Sequence, residues 1–370
     1  GGVEGSAMEE LAWDSLGRPT IELAHNASRI DVLLSLPDKR SARGVQALWA
    51  SFAALSAVCT ASVVGAILSS KQTRSSIFTL LLAILLTFET GFCLHLFIWN
   101  VANLASDSYV SYEACLLQSF LVVVAMYTIS WVNTIVMVEL YRMLRATKAI
   151  QIYMPPSRWV VLRRCLAAWL MSVATAGLVL VPGVPVKPRL IRGLFCAPIS
   201  DGTPYGVSKV NMIVLPLFLG IPTCITLSIA LISWRRRLLD FELERQDIVL
   251  TRTSNALHDQ AAHRARVKAA RSLTVYFSHV FACQFMWFPA LLTIIIGARP
   301  VAVIGMGIAT VPLQSIVSSS IAMTKTDVRE AAVNLFRPFC SCFSRRRVAP
   351  LGAGVFALQP RKRPIAFTSG

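Results

Sequence analysis

Long apolar runs alternate with shorter polar segments along the chain. Seven of these runs hold roughly 20 or more mainly apolar residues, the length that a helix needs to cross the core of a bilayer. Inside lipid, such a run satisfies its backbone polar groups by folding as a helix. The pattern predicts an all-α integral membrane protein built as a seven-transmembrane helix bundle. The predicted spans are Val45–Ser70, Ser76–Ala102, Tyr112–Leu144, Trp159–Val181, Val207–Trp234, Ser272–Ile296 and Val301–Met323.

The composition supports this prediction. Hydrophobic residues make up 55% of the sequence and charged residues 15%, which excludes an ordinary soluble protein. The formal net charge of +17 would suit nucleic acid if it were evenly spread. The Lys and Arg residues instead lie mainly between the apolar runs and in the C-terminal tail. We therefore expect the lipid bilayer, and no nucleic acid, as the partner of this charge.

The basic residues between the spans also predict an orientation, because short basic loops resist translocation. Lys and Arg are concentrated after the first, third and fifth spans, whereas the segment around Asp107 and Glu113 has none. The segment between the fourth and fifth spans is an exception, with Lys187, Arg189, Arg192 and Lys209. We expect a multi-pass protein of the plasma membrane with an extracellular N-terminus and a cytosolic C-terminus.

This topology divides the chain into four parts. Residues 1–43 form an extracellular tail, 44–323 the bundle, 324–343 a juxtamembrane amphipathic helix and 344–370 a cytosolic basic tail. Asn26 begins an acceptor triplet for N-glycosylation in the first part, although such triplets also arise by chance. Cys340 and Cys342 lie at the end of the amphipathic helix and are candidates for palmitoylation, with unmodified thiols as the alternative.

The nine cysteines differ in their predicted surroundings. On the predicted topology, only Cys115 at the outer end of the third span and Cys196 before the fifth span face the oxidising side. A disulfide between them would hold the loop before the fifth span over the helical bundle. The cysteines inside the spans are expected to be small buried apolar side chains.

Seven spans with these two cysteines resemble the G-protein-coupled receptors. The third span ends in ELYR, residues 139–142, and Glu139 follows Cys115 at the spacing of the Asp/Glu-Arg-Tyr motif of the rhodopsin-like branch. The resemblance places Glu139, Tyr141 and Arg142 where a receptor meets its G protein. Leu140 departs from the motif, which has Arg there. The alternative is that Glu139 and Arg142 simply pair on one helix face as headgroup-level charges.

The last two spans carry further resemblances. Trp287 and Pro289 in FMWFP are similar to the family's Cys-Trp-x-Pro switch, in which Pro opens a helix kink. Pro312 and Gln314 in the seventh span resemble the Pro-Leu-Gln-Gly signature of the cyclic-AMP-receptor-like and fungal glucose-sensing-receptor-like branch. In that branch Asn and Tyr occupy the places that Ser318 and Ala322 fill here, so the branch stays open.

Polar residues inside the spans are candidates for ligand binding or for coupling between helices, because burying them in lipid is costly. Glu89 in the second span is either a hydrogen-bonded structural carboxyl or an ion and water site. His95 lies two turns nearer the outside and is either a ligand contact or a packing residue. The remaining candidates are Gln118, Tyr127, Trp131, Asn133 and Asn211.

No zinc-type Cys/His spacing, phosphate-binding Gly-rich loop or nucleophile elbow occurs in the sequence. We therefore expect no enzyme activity, no cofactor and no metal. The resemblance implies a receptor that transduces an extracellular ligand signal to a cytosolic heterotrimeric G protein by helix rearrangement. A seven-span transporter using Glu89, His95 and Asn133 is the alternative, although no internal repeat supports it. A membrane protein that no longer couples is a third interpretation.

Overall fold

The computed structural model describes residues 11–13, 19–22, 39–106, 111–149, 153–178, 186–191, 195–200, 216–236, 238, 273–286 and 301–344. The helices in these ranges are α1 (Lys39–Ser69), α2 (Lys71–Ser75), α3 (Ile77–Ser106), α4 (Tyr112–Lys148), α5 (Arg158–Gly177), α6 (Ile221–Arg235), α7 (273–285), α8 (Val301–Thr324) and α9 (Thr326–Ser344). A π-helical turn, Pro216–Gly220, leads into α6.

Each predicted span contains one of these helices. The helix ends differ from the prediction, since α1 begins at Lys39 rather than Val45 and α4 continues to Lys148 rather than Leu144. Within the described ranges, five helices are long and apolar enough to cross a membrane. They are Arg43–Ser69, Ile77–Ser106, Tyr112–Thr147, Arg158–Gly177 and Leu217–Arg235. These helices support the prediction of a multi-pass membrane protein.

Helix α3 lies at the centre of the main hydrophobic core. Its Leu81, Leu85 and Leu86 are fully buried and belong to one cluster with Val132 and Val136 of α4. Helix α5, in contrast, exposes a row of large apolar side chains. They are Trp159, Leu162, Leu166 and Leu170. Such an apolar surface is what a helix at the edge of a bundle presents to lipid.

A small antiparallel sheet accompanies the helices and was not predicted. Its four strands are β1 (Leu11–Trp13), β2 (Pro19–Glu22), β3 (Val186–Ile191) and β4 (Phe195–Ser200). The strand order follows the chain, so β2 of the N-terminal segment extends the β3–β4 hairpin. The pairing of Ile21 with Leu190 sets that register. Strands this short leave little periodicity in a sequence, which explains why they were missed.

The predicted disulfide between Cys115 and Cys196 is confirmed. It joins the first turn of α4 to β4, with the two Cα atoms 5.3 Å apart. Gln118 lies one turn further along α4, and its side-chain Oε1 accepts a hydrogen bond of 3.0 Å from the Cys196 backbone N–H. The covalent bond and the hydrogen bond together hold the hairpin against the first two turns of α4.

Helix α9 follows α8 after a break at Lys325. Its Val328, Ala331 and Ala332 are buried, and Ala331 and Ala332 pack against Ala66 of α1. Asn334 on the opposite side of α9 is exposed. The helix is therefore amphipathic, as predicted from its apolar stripe, and it is docked on the bundle by small side chains that allow close approach.

Placing a charge in this contact should undock α9. We expect Ala332→Glu to lower the stability of the bundle by about 3 kcal/mol or more, because the carboxylate would be buried without a partner. Asn334→Glu adds the same charge on the exposed side and should change stability little. Thermal unfolding of both variants in detergent micelles tests this, and equal unfolding midpoints would contradict the docking of α9.

Candidate functional site

Glu139 lies at the basic end of the bundle, which we define as the end that carries Lys71, Arg74, Arg145, Arg158 and Arg235. The Glu139 side chain is almost completely buried, and both of its oxygens are paired. Oε1 accepts hydrogen bonds from Arg142 Nη1 at 2.9 Å and from Arg164 Nη1 at 3.2 Å. Oε2 accepts one from the Tyr153 hydroxyl at 2.8 Å. We call these four residues the Glu139 cluster.

Three segments of the chain build the Glu139 cluster. Helix α4 places Glu139 and Arg142 on one face, since they are three residues apart. Arg164 comes from the second turn of α5, and Tyr153 from the connection between α4 and α5. Ser157 begins α5 by accepting a hydrogen bond from the Val160 N–H. The cluster thus ties the end of α4 to the beginning of α5.

Tyr153 acts as a hydrogen-bond donor in this cluster. Burial of the phenol raises its pKa, and its hydrogen bond to the Glu139 carboxylate raises it further. The hydroxyl therefore keeps its proton at neutral pH and can donate it to Glu139. Deprotonation at high pH would place two negative charges side by side.

Leu140, the neighbour of Glu139, takes no part in the cluster. It is 1% exposed and belongs to the main hydrophobic core, with Tyr141 packed partly against that core. A side chain at position 140 therefore points into the bundle, where Leu packs and cannot pair with an acid. Arg142 forms the pair with Glu139 that its spacing predicted. The sequence did not predict that Arg164 and Tyr153 also contact Glu139.

A second polar contact at the basic end joins α8 and α9 to α3. Lys325 Nζ lies 3.0 Å from Asp327 Oδ2 and donates to the Ser76 hydroxyl at 3.4 Å. It also contacts the Thr79 hydroxyl. Lys325 thus connects the break between the last two helices to the beginning of α3, a role that its sequence position did not reveal.

The middle of the bundle contains a polar network around Glu89. The Glu89 carboxylate is buried, and its Oε1 accepts hydrogen bonds from Ser318 Oγ at 3.0 Å and from Gln314 Nε2 at 3.4 Å. Its Oε2 lacks a partner among the described residues. Nearby, the Cys93 thiol donates to Ser315 Oγ at 3.4 Å. This network connects α3 to α8.

Other buried polar groups extend these connections. Cys283 of α7 lies 3.7 Å from Ser318 Oγ, and Gln284 Nε2 donates to Ser130 Oγ of α4 at 2.9 Å. On α1, the Ser56 hydroxyl donates to the backbone oxygen of Pro312 at 2.7 Å. The interior of the bundle is thus linked by hydrogen bonds from α1, α3, α4 and α7 to residues of neighbouring helices.

The remaining candidates lie in separate places or outside the description. The Trp99 indole N–H donates to His95 Nδ1 at 2.9 Å, so His95 pairs within α3. Tyr127 stacks on Phe218 with ring centroids 4.6 Å apart. Both Asn133 side-chain atoms are buried without a described partner, as is Trp131 Nε1. Residues outside the described set are Asn26, Asn211, Trp287 and Pro289; α9 includes Cys340 and Cys342, whose side chains are not described.

Comparisons with known proteins give different results for the sequence and for the fold. No protein-family model matches the sequence, and no curated protein is significantly similar to it. The structure, in contrast, is significantly similar to 450 chains of solved structures. One is the crystal structure of squid rhodopsin, with a TM-score of 0.64, 13% identity, and coverage of 87% of this chain and 94% of the rhodopsin chain. The chain has the seven-helix fold of the G-protein-coupled receptors.

This likeness confirms the predicted all-α membrane bundle and the resemblance of its fold to the G-protein-coupled receptors. At 13% identity the arrangement of the helices carries the likeness. The roles of individual side chains are therefore argued from their own contacts. Within the described ranges, no group of three or more His, Cys, Asp or Glu side chains could hold a metal ion.

Substitutions of Glu89 should change the stability of the bundle in a predictable way. Glu89→Gln keeps a side-chain oxygen that can accept from Ser318, so we expect a small effect. Glu89→Leu leaves the Ser318 hydroxyl and the Gln314 amide buried without their acceptor, at a cost of about 1–3 kcal/mol. Thermal unfolding in micelles compares the two variants. If the Leu variant is as stable as the Gln variant, Glu89 does not hold α8 to α3.

Proposed function

We propose that the protein is a receptor that transmits an extracellular ligand signal to a cytosolic heterotrimeric G protein. The observation that carries this proposal is the Glu139 cluster, which closes the basic end of a receptor-like bundle. Its carboxylate is buried, but Arg142 and Arg164 are half exposed, with side-chain exposures of 51% and 44%. A partner that docks at this end can therefore reach the guanidinium groups and compete for them.

The proposed mechanism is a shift between two helix arrangements. In the arrangement described here, Arg164 and Tyr153 hold α5 and the connection before it against Glu139. Ligand binding favours an outward movement of α7, and Pro289, which comes later in the same predicted span, is the proposed hinge. A G protein that binds the opened end raises ligand affinity by reciprocity. Nucleotide exchange takes place on the G protein, so the receptor itself is not an enzyme.

The Glu89 network provides a route between the two ends. It joins α3 to α8 through Ser318 and Gln314, and Cys283 brings α7 to the same serine. A ligand that moves α7 or α8 would change these contacts first. The extracellular ligand itself is unidentified, and the candidates for contacting it are Glu89, His95, Gln118, Tyr127 and Asn211.

The proposal also places each part of the chain relative to the plasma membrane. The N-terminal tail, residues 1–43, is extracellular and glycosylated at Asn26. The bundle, residues 44–323, spans the plasma membrane. Residues 324–343 lie along its cytosolic surface, where Cys340 and Cys342 are acylated, and residues 344–370 form a basic cytosolic tail. The basic residues at the end of the bundle that carries Glu139 support this orientation.

Nucleotide exchange on purified heterotrimers tests the proposal. The full chain in nanodiscs should accelerate exchange on at least one heterotrimer relative to empty nanodiscs. Arg164→Gln removes the guanidinium that pairs with Glu139, and Tyr153→Phe removes the hydroxyl donor. Each should raise ligand-independent exchange severalfold, because α5 is released from α4. Arg329→Gln removes an exposed charge on α9 instead and should leave exchange unchanged.

Two negative results have different meanings in this experiment. No exchange on any heterotrimer, with the variants equally silent, would contradict receptor function. Exchange that is present but does not change in Arg164→Gln and Tyr153→Phe would contradict the role of the Glu139 cluster. It would still be consistent with receptor function.

A further inference from the structure

The Glu139 cluster does not hold α7, although α7 is the helix that moves in the proposed mechanism. The four residues of the cluster come from α4, from α5 and from the connection between these helices. Breaking the cluster releases α5 from α4 and leaves the contacts of α7 with other helices in place. The position of α7 at the basic end therefore depends on residues outside the cluster.

Tyr276, in the first turn of α7, contacts the beginning of α3. It is 3% exposed, and its ring meets the Phe78 ring edge to face, with centroids 5.2 Å apart and an angle of 73° between the ring planes. Aromatic pairs in this geometry stabilise by more than the area that they bury. Both residues belong to the main hydrophobic core, together with Val328 of α9. The pair thus joins the inner end of α7 to α3.

The beginning of α3 is itself tied to another part of the basic end. Phe78 lies between Ser76 and Thr79, and Lys325 contacts the hydroxyls of both of these residues. Lys325 also pairs with Asp327, so it fixes this turn to the break between α8 and α9. Phe78 is therefore anchored, and an outward movement of α7 would separate the two rings.

The hydroxyl of Tyr276 acts in the opposite direction to its ring. Thr324 and Asp327 lie near this buried hydroxyl, but neither they nor any other described residue makes a hydrogen bond of normal geometry with it. A buried hydroxyl without a partner raises the free energy of the arrangement that buries it. Opening the basic end would give the hydroxyl access to water. The ring thus favours the closed arrangement described here, and the hydroxyl favours the opened one.

We propose that Tyr276 is a positioning residue that sets the balance between the closed and the opened arrangement of the basic end. Its ring holds α7 against Phe78, and its unpaired hydroxyl lowers the free energy needed for opening. This inference rests on the proposed function, because the opened arrangement is the one that a G protein would bind. It adds a restraint on α7 that is separate from the Glu139 cluster.

Two substitutions with opposite expected effects test the proposal. Spin labels at positions 145 and 278, which are exposed on α4 and α7, report the opening as a distance. Pulsed electron resonance would measure this distance on the full chain in nanodiscs without G protein. Phe78→Leu removes the ring contact and keeps the unpaired hydroxyl, so the ratio of long to short distances should rise about threefold to tenfold. Tyr276→Phe keeps the ring and removes only the hydroxyl, so it should lower that ratio and raise the midpoint of thermal unfolding.

Phe281→Leu is the matched control. Phe281 packs against the same core, but its ring pairs with Phe285 within α7, with centroids 4.9 Å apart. The substitution therefore removes an aromatic ring from α7 and leaves the contact with α3 intact. The distance between the labels should stay as it is in the unaltered chain.

Three results would overturn the proposal. An unchanged distance in Phe78→Leu would show that the ring pair does not hold α7. A longer distance in Tyr276→Phe would show that the hydroxyl helps to close the basic end. Equal lengthening in Phe281→Leu and Phe78→Leu would point to a general loosening of the core.

Two further features keep this experiment decisive. If Phe78→Leu does not fold, Phe78→Met replaces it with the same expected result, because Met keeps a long apolar side chain and lacks the ring. Since no G protein is present, a failure here is separate from a failure of receptor function, which nucleotide exchange on heterotrimers tests. Exchange without any effect of Phe78→Leu on the distance would retain the receptor and reject the role of Tyr276.

Discussion

The structure depends on one constraint: a polar group inside a membrane bundle has to find its partner on the protein, because lipid offers none. Glu139 and Lys325 meet this constraint through contacts that involve another helix, and Glu89 does so through Oε1. The Glu139 cluster joins α4 to α5, the Glu89 network joins α3 to α8, and Lys325 joins the α8–α9 break to α3. Apolar packing alone would let these helices slide, whereas the polar contacts select one alignment.

In the proposed mechanism, the Glu139 cluster serves as a switch. Removing one partner from a buried charge costs about 3–5 kcal/mol, so the cluster does not open without compensation. In the proposed mechanism, a partner protein supplies new contacts to Arg142 and Arg164 and provides that compensation. The coupling free energy between ligand and partner would then depend on how differently each of them binds the closed and the opened arrangement. Leu140 packs in the core and takes no part in the cluster, whereas Arg164 of α5 supplies the second guanidinium.

The sequence could predict the parts of this fold that have strong local signals. The apolar runs predict the helices, topology predicts the Cys115–Cys196 pair, and spacing predicts the Glu139–Arg142 pair. Contacts between distant residues leave no such signal, as with Tyr153 and Arg164 around Glu139 or Ser318 below Glu89. One clue was available, because adjacent arginines at the start of an apolar helix cannot both face lipid. The β1–β4 sheet was missed since its strands have only three to six residues.

In the proposed mechanism, the basic end opens between α4 and α7 when a G protein binds. The most direct measurement is the distance between spin labels at positions 145 and 275, which are exposed near the inner ends of these two helices. The distance would be measured by pulsed electron resonance on the full chain in nanodiscs, with and without nucleotide-free heterotrimer. We predict a longer distance when the heterotrimer is present. In Arg164→Gln without heterotrimer, the distance should already be longer than in the unaltered chain without heterotrimer. A distance that stays the same in every case would contradict the opening of the basic end.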